Sequence, residues 1–242
     1  MKKFITMILM SVLALGVSAQ VLTSRTYNKP KGKTQWHVRV GPSFNNIAGL
    51  SEFEYDESED GYTDKAGFGT STGMSLDFGF NRNIGKSGLY WGMELGLGTR
   101  GFTTKQESYG DGEDWSSKVN LRTWNIKYSP FTFGYKYSVT DALKIDAHVG
   151  VFASYDFAGS LSDSGDGEWE ADEIKPAWDD IIDNKFDVGT QLGIGVWYKR
   201  FNIDIMWQRG FTSMMKVSEL DDYDSDKSGY SSNLVLRVGY AF

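Results

Sequence analysis

The chain has 242 residues, with 28 Gly, 36 aromatic residues, 4 Pro, no Cys and a net charge of −7. The acidic balance argues against a nucleic-acid partner, because phosphate binding needs a basic surface. The absence of Cys excludes thiol chemistry, Cys-ligated zinc, iron–sulfur clusters and disulfides. High Gly with high aromatic content suits an all-β protein better than a helical one.

Lys2 and Lys3 open the chain, an apolar run follows from Phe4 to Val17, and Val17-Ser18-Ala19 supplies the small residues a signal peptidase prefers. The run is short for a spanning helix, which needs about 20 apolar residues. Residues 1–19 therefore read as a cleaved signal peptide, with Gln20 as the first mature residue, and 20–33 as a polar periplasmic lead. No later stretch is apolar enough to span as a helix. A membrane protein built without helices must be a closed barrel, since only closure satisfies every backbone group in lipid.

From residue 34 period-two alternation recurs eight times, which predicts a barrel over 34–242. The first strand, near 34–44, sets Trp36, Val38 and Val40 against His37, Arg39 and Gly41. The second, near 68–80, sets Leu76, Phe78 and Phe80 against Ser75, Asp77 and Gly79. The third, near 88–98, sets Leu89, Trp91, Met93, Leu95 and Leu97 against Tyr90, Gly92, Glu94, Gly96 and Gly98. The fourth, near 118–137, changes phase twice. Val119 and Leu121 share one parity, Trp124, Ile126 and Tyr128 the other, and Phe131, Phe133 and Tyr135 the first again. The two changes predict bulges, and Pro130, which cannot donate to a ladder, fits one of them.

The fifth strand, near 143–155, sets Ile145, Ala147, Val149 and Val151 against Lys144, Asp146, His148 and Gly150. The sixth, near 186–198, sets Val188, Leu192, Ile194 and Val196 against Asp187, Gln191, Gly193 and Gly195. The seventh, near 201–209, sets Ile203, Ile205 and Trp207 against Asp204, Met206 and Gln208. The eighth ends the chain, with Leu234, Leu236, Val238, Tyr240 and Phe242 against Val235, Arg237, Gly239 and Ala241.

Alternation alone also fits a soluble β-sandwich. Three features favour an eight-stranded antiparallel up-and-down transmembrane β-barrel. Connections alternate long (45–67, 99–117, 156–185, 210–230) and short (81–87, 138–142, 199–200), as outer loops and periplasmic turns do, with both termini periplasmic. The non-apolar face carries Gly and isolated charges, which suit a narrow lumen. Aromatics gather near strand ends (Trp36, Tyr90, Trp91, Tyr135, Tyr137, Tyr198, Phe201, Trp207, Phe211, Tyr240), as in the girdles of membrane barrels. Charge agrees: the long gaps hold 26 of the 32 acids and a net charge of −19. Of the six acids outside them, Asp141 lies in a short turn, and Asp77, Glu94, Asp146, Asp187 and Asp204 all fall on the lumen parity.

The end of the chain, with Val238, Tyr240 and Phe242 outward and Phe242 terminal, resembles the signal read by barrel-assembly machinery. Phe186-Asp187-Val188-Gly189 and Gly193-Ile194-Gly195-Val196-Trp197-Tyr198 resemble the sixth strand of the outer-membrane-protein β-barrel domain family, which includes porin-family and PorT-like proteins. Tyr128-Ser129-Pro130-Phe131 resembles that family's Pro-containing fourth strand, although the residues just before it depart from the pattern. The resemblance covers 34–242 and implies an eight-stranded outer-membrane barrel. Its motifs specify strands, not chemistry.

Three places could carry function. The first is the lumen, where Arg39, Asp77, Glu94, Lys144, Asp146, His148, Asp187, Asp204 and Arg237 are expected to point inward and His37 to lie near the periplasmic mouth. A salt-bridged plug is the expectation for eight strands; a small gated pore with exchanging ion pairs is the alternative. Catalysis is the second, and an enzyme is not expected, because His37 and His148 are the only histidines and no Ser–His pairing stands out. A carboxylate-only glycosidase site would be the exception.

The acidic loops are the third. Asp56 and Asp60 echo a calcium loop, but Gly67 stands where its last ligand should be; Asp222, Asp224 and Asp226 form a second weak set. No firm cofactor follows, only weak Ca²⁺ or Mg²⁺ binding beside outer-membrane lipid and lipopolysaccharide. Phe53, Tyr55, Tyr109, Trp115, Trp169, Trp178 and Tyr223 stud the same loops, which suits an extracellular protein or glycan as well as packing on the rim. The leading reading is a non-enzymatic barrel that is structural or presents a ligand or partner surface. A component of an envelope secretion or assembly system is the reading the PorT-like resemblance suggests.

Overall fold

The computed structural model describes residues 34–50, 53–57, 62–85, 87–109, 115–165, 178–217 and 227–242. The signal segment and lead, 1–33, lie outside them. Ten strands follow: β1 (Thr34–Ala48), β2 (Phe53–Glu57), β3 (Tyr62–Gly69), β4 (Ser71–Asn83), β5 (Leu89–Tyr109), β6 (Trp115–Ser138), β7 (Leu143–Gly165), β8 (Phe186–Tyr198), β9 (Phe201–Val217) and β10 (Lys227–Ala241). One helical turn, α1 (Trp178–Ile181), precedes β8.

Eight of the strands close a ring. β1 pairs with β4, β4 with β5, and so on in chain order to β10, which pairs back onto β1. All pairings are antiparallel, and closure leaves no edge strand in lipid. β2 and β3 form an additional hairpin. β3 continues the line of β4 along β5, from Gly69↔Thr103 to Thr63↔Tyr109. Short turns join β4 to β5, β6 to β7 and β8 to β9. In the two-residue turn at 199–200, Lys199 takes φ 55°, the left-handed value such hairpins demand.

Within the ring the burial is inside-out. Leu192, Ile194, Val196, Ile203, Ile205, Leu236 and Val238 are exposed, while the residues between them are buried. The exposed positions form the lipid-facing wall. Aromatics bound it at the turn end (Trp36, Tyr135, Tyr137, Tyr198, Phe201, Phe242) and at the far end (Trp124, Phe157, Phe186, Phe211). Trp36 stacks on Phe78 at 5.4 Å, and Phe78 on Phe242 at 6.3 Å. From Phe201 to Phe211 the strand rises roughly 33 Å at ~3.3 Å per residue. At the usual tilt that spans an apolar band about 25 Å tall.

Several strands run past this band, and here the expected boundaries need correction. β5, β6 and β7 are 21, 24 and 23 residues long, against 13 for β4 and for β8. Beyond the far girdle the burial pattern reverses. On β6, Trp124, Ile126 and Tyr128 face lipid while Leu121 points inward and is buried. The phase change between Leu121 and Trp124 is therefore not a bulge in β6. It marks where the strand leaves lipid and adopts the ordinary arrangement, apolar inside and polar outside. The ladder irregularity beside it belongs to β7, where Phe157 is the extra residue. The second expected bulge is present at Ser129-Pro130, as shifts against both β5 and β7.

Candidate functional site: a lumen closed twice

The lumen holds two different fillings. Toward the turn end and through the middle it is ionic. Arg237, on β10, is wholly buried and reaches three strands. Its Nε and Nη2 donate to the two oxygens of Asp204 at 3.2 and 2.6 Å. Its Nη1 donates to Asp77 at 3.1 Å and to Glu94 at 3.2 Å. Glu94 also accepts from Arg39 Nη1, and His37 Nε2 lies 2.9 Å away. Arg39 Nε donates to Asn202 at 3.1 Å. Lys127 Nζ lies 3.1 Å from the free side of Asp77. One guanidinium thus serves carboxylates from β4, β5 and β9, and it crosses the bore rather than lining it.

Below this layer, toward the turns, Asp146 is held by neutral donors: the Tyr90 hydroxyl at 2.8 Å and Trp197 Nε1 at 3.1 Å. Lys136 Nζ sits over the Trp197 ring at 4.2 Å and the Tyr90 ring at 4.9 Å, and donates to Gln35 at 3.1 Å. His148 lies between Asp146 and Asp204, 3.8 Å from each. Glycines on neighbouring strands make the room. A Cβ on Gly134 would stand 2.4 Å from the Tyr90 ring, and one on Gly193 would stand 2.3 Å from His148.

Farther out, Arg100 donates to Asp156 at 2.6 Å and to the Asn184 carbonyl at 2.7 Å, and its Nη1 lies 3.3 Å from Asp187. Between this layer and Arg237 lies a polar cavity of about 20 Å³ bordered by Ser43, Ser75, Thr99, Asn125 and Asn233. That is room for about one water by the ~10–15 Å³ a water requires.

The second filling is apolar. Ile47, Leu50, Phe102, Leu121, Ile182 and Met214 form a buried cluster inside the wall of long strands, with Phe68, Leu161, Trp178, Ile181 and Met215 packed on it. The segment 178–185 is laid across the mouth and pinned from β7 and β9. Asp183 N donates to Met214 O at 3.0 Å, Asn184 Nδ2 to Ser213 O at 2.8 Å and Asp156 N to Lys185 O at 2.8 Å.

Of the residues expected in the lumen, Arg39, Asp77, Glu94, Asp146, His148, Asp187, Asp204 and Arg237 are buried there. Lys144 shares their face, opposite the inward Trp197 of β8, but it is half-buried at the turn end and makes no ion pair with a described residue. His37 belongs to the buried network rather than to the mouth. Tyr90 leaves the expected girdle for the lumen. Arg100, Lys127, Lys136, Asp156 and Trp197 join the filling unannounced. Parity alone would have found Lys127, Lys136 and Trp197, each flanked by lipid-facing residues. Arg100 and Asp156 lay beyond the strand ends read from the pattern.

Among the loop candidates, Asp56 falls in strand β2 rather than in a loop, and its side chain, with Asp60, Asp222, Asp224 and Asp226, lies outside the described residues, as do Trp169 and Tyr223. Phe53 and Tyr55 lie in β2, Tyr109 ends β5 and Trp115 begins β6. Trp178 packs on the apolar cluster, with Lys185 Nζ 4.9 Å over its ring. Val238 and Phe242 are exposed on the lipid side, and Tyr240 is half-exposed.

A family model described as outer membrane protein beta-barrel domain matches residues 18–216. Among solved structures the chain is similar to the outer membrane protein OprG from Pseudomonas aeruginosa, at 14% identity over 86% of this chain and 95% of that one, with a TM-score of 0.36. It is similar also to Neisserial surface protein A (NspA), at 13% identity over 86% and 97% of the two chains, with a TM-score of 0.36. No curated protein matches.

Proposed function

The chain belongs to the outer membrane protein beta-barrel domain family, and on that premise we propose that it is a non-enzymatic, non-conducting barrel that works through its outward end. The observation that carries this reading is Arg237, whose guanidinium bridges Asp77, Glu94 and Asp204 across the bore. An ion crossing the lumen would have to break these charge-assisted contacts between fully buried partners. It would then meet the apolar cluster. Both histidines are enclosed with carboxylates in the lumen, and among the described residues neither is hydrogen-bonded to a Ser or Thr hydroxyl that it could activate.

The long strands and long connections lie at one end and the short turns at the other, the arrangement in which turns face the periplasm and loops the outside. In this reading both termini are periplasmic and the barrel-assembly machinery meets Val238, Tyr240 and Phe242 during biogenesis. The acid-rich connections then face the medium, where weakly held Ca²⁺ or Mg²⁺ and an extracellular protein or glycan are their partners.

Planar-bilayer recording of the refolded mature chain, residues 20–242, tests the closure. The expected result is a silent bilayer from protein whose folding is verified by a heat-dependent gel shift. Reproducible conductance steps would return the gated pore instead.

A further inference from the structure

Past the far girdle, the outward face of β5 and β6 is basic although the surrounding connections are strongly acidic. Lys105 and Lys118 are directly opposite in the β5–β6 register, and both are exposed. Directly opposed side chains on one face sit about 4.5–5.5 Å apart at Cβ, and like charges there repel. Arg122 lies on the same face four residues nearer the membrane, roughly 13 Å along the strand at ~3.3 Å per residue. Its Nε is buried without a hydrogen-bond partner. No described acid forms an ion pair with any of the three. Glu107, two positions beyond Lys105, closes the outer edge of the patch.

The neighbours on this face suit a sugar. Asn120 stands between Arg122 and Lys118, and Ser162 and Ser160 face Asn120 and Arg122 from β7. Immediately membrane-ward come Trp124 and Phe157, both exposed to lipid. Cations, hydroxyls and an amide thus sit just above the apolar band. A ligand held there would have acyl chains in the band, an anionic group at Arg122 and a second at the lysine pair.

We propose that Lys105, Lys118 and Arg122 bind the phosphorylated sugar headgroup of the outer-leaflet glycolipid. The site rests on the reading that the long-strand end faces outside. A phosphate between Lys105 and Lys118 turns a repulsive cross-strand pair into two charge-assisted contacts, and a second phosphate meets the guanidinium whose Nε is unpartnered. This contact is distinct from bridging by divalent cations at the acidic loops, which a chelator would abolish.

The test compares the mature chain with a variant carrying K105Q, K118Q and R122Q, both extracted from outer membranes with EDTA throughout. Co-purifying glycolipid is measured by mass spectrometry. Both proteins are then placed in nanodiscs with bisphosphorylated lipid A, dephosphorylated lipid A or phosphatidylglycerol. The expected result is EDTA-resistant retention by the wild type that needs the phosphates. The variant should retain at least about tenfold less, as loss of roughly 1.4 kcal/mol of binding implies. Equal retention by folded variant, retention wholly lost to EDTA, or equal protection by phosphatidylglycerol would each overturn it. Sidedness is read separately, from labelling of intact cells by an impermeant maleimide at S116C or S138C. Label at S138C alone would sink the orientation. Label at S116C with unchanged glycolipid would sink only this site.

Discussion

The ionic and apolar fillings of the lumen stand one above the other, and they obey opposite rules. Within the membrane band the wall spends its apolar side chains on lipid, so the interior must be polar, and its buried charges must pair with one another. Arg237, Glu94, Asp77, Asp204, Arg39 and Lys127 do so. Beyond the band the same strands are in water on their outer face. The apolar residues then return to the inside, as Phe102, Leu121 and Met214 do, and outer positions are free to carry Lys105, Lys118 and Arg122. The boundary between the two rules lies within three residues of β6, between Leu121 and Trp124. A single strand thus belongs to a membrane protein at one end and to a water-soluble one at the other.

Breaking the ionic filling should have the largest effect. Arg237→Ala leaves three buried carboxylates facing one another, and removing one partner of a buried ion pair costs about 3–5 kcal/mol. The expected outcome is a large drop in the urea midpoint of the whole barrel, with Arg237→Lys recovering part of it. An unchanged midpoint would mean that the lumen does not hold the barrel together. The apolar filling should fail differently. Leu121→Ala removes a buried side chain at a cost of about 2–5 kcal/mol, but that cluster binds the long-strand end and the segment 178–185. Limited proteolysis should then cut within that segment while the heat-resistant band persists. Loss of the heat-resistant band itself would show that the two fillings form one cooperative unit.

How far the sequence reveals this depends on which rule is in force. Where lipid imposes a strict period of two, the residues announce themselves: Leu192, Ile194 and Val196 mark a lipid face, and Asp187, Gln191 and Gly195 the lumen between them. The bulge at Pro130 is legible because proline cannot donate. At the boundary the same logic misleads. The inward Leu121 resembles a slipped register, and strands seem to end at Gly98 and Tyr155 because the apolar alternation ends there, although the ladders continue. The pairing of Arg100 with Asp156 is hidden for that reason. Partner choice inside the lumen is not legible at all, since which carboxylate meets Arg237 depends on tilt and shear around the ring, not on any local spacing.

The position of the boundary can be measured with a charge placed on either side of it. Leu192 lies midway along β8 between the aromatics Phe186 and Tyr198 and is 55% exposed. Leu192→Lys puts an ammonium near the bilayer midplane, at a cost of about 2–4 kcal/mol. Ser116 is exposed near the start of β6, beyond Trp124. Ser116→Lys should change stability by no more than about 0.5 kcal/mol, like other surface substitutions. Equal penalties in reconstituted vesicles would place the membrane over the whole length of β6 and dissolve the inversion.

A loss smaller than those at Arg237, Leu121 and Leu192 tests whether the ionic filling is held by neutral donors as well as by charges. Asp146 receives the Tyr90 hydroxyl and the Trp197 ring nitrogen. Tyr90→Phe deletes one oxygen and leaves the ring packed against Gly134. A hydrogen bond to a charged acceptor is worth about 1.5–3 kcal/mol. Lys136 lies within 5 Å of the same ring and can swing toward the freed carboxylate, so the loss should fall at the lower end of that range. The variant Tyr90→Phe combined with Lys136→Met removes that relief. If Lys136 supplies the compensation, the double variant loses more than the two single losses added together. Strict additivity in urea midpoints would show instead that Asp146 is satisfied by Trp197 alone, and that the layer nearest the turns tolerates an unpaired carboxylate that the layer around Arg237 does not.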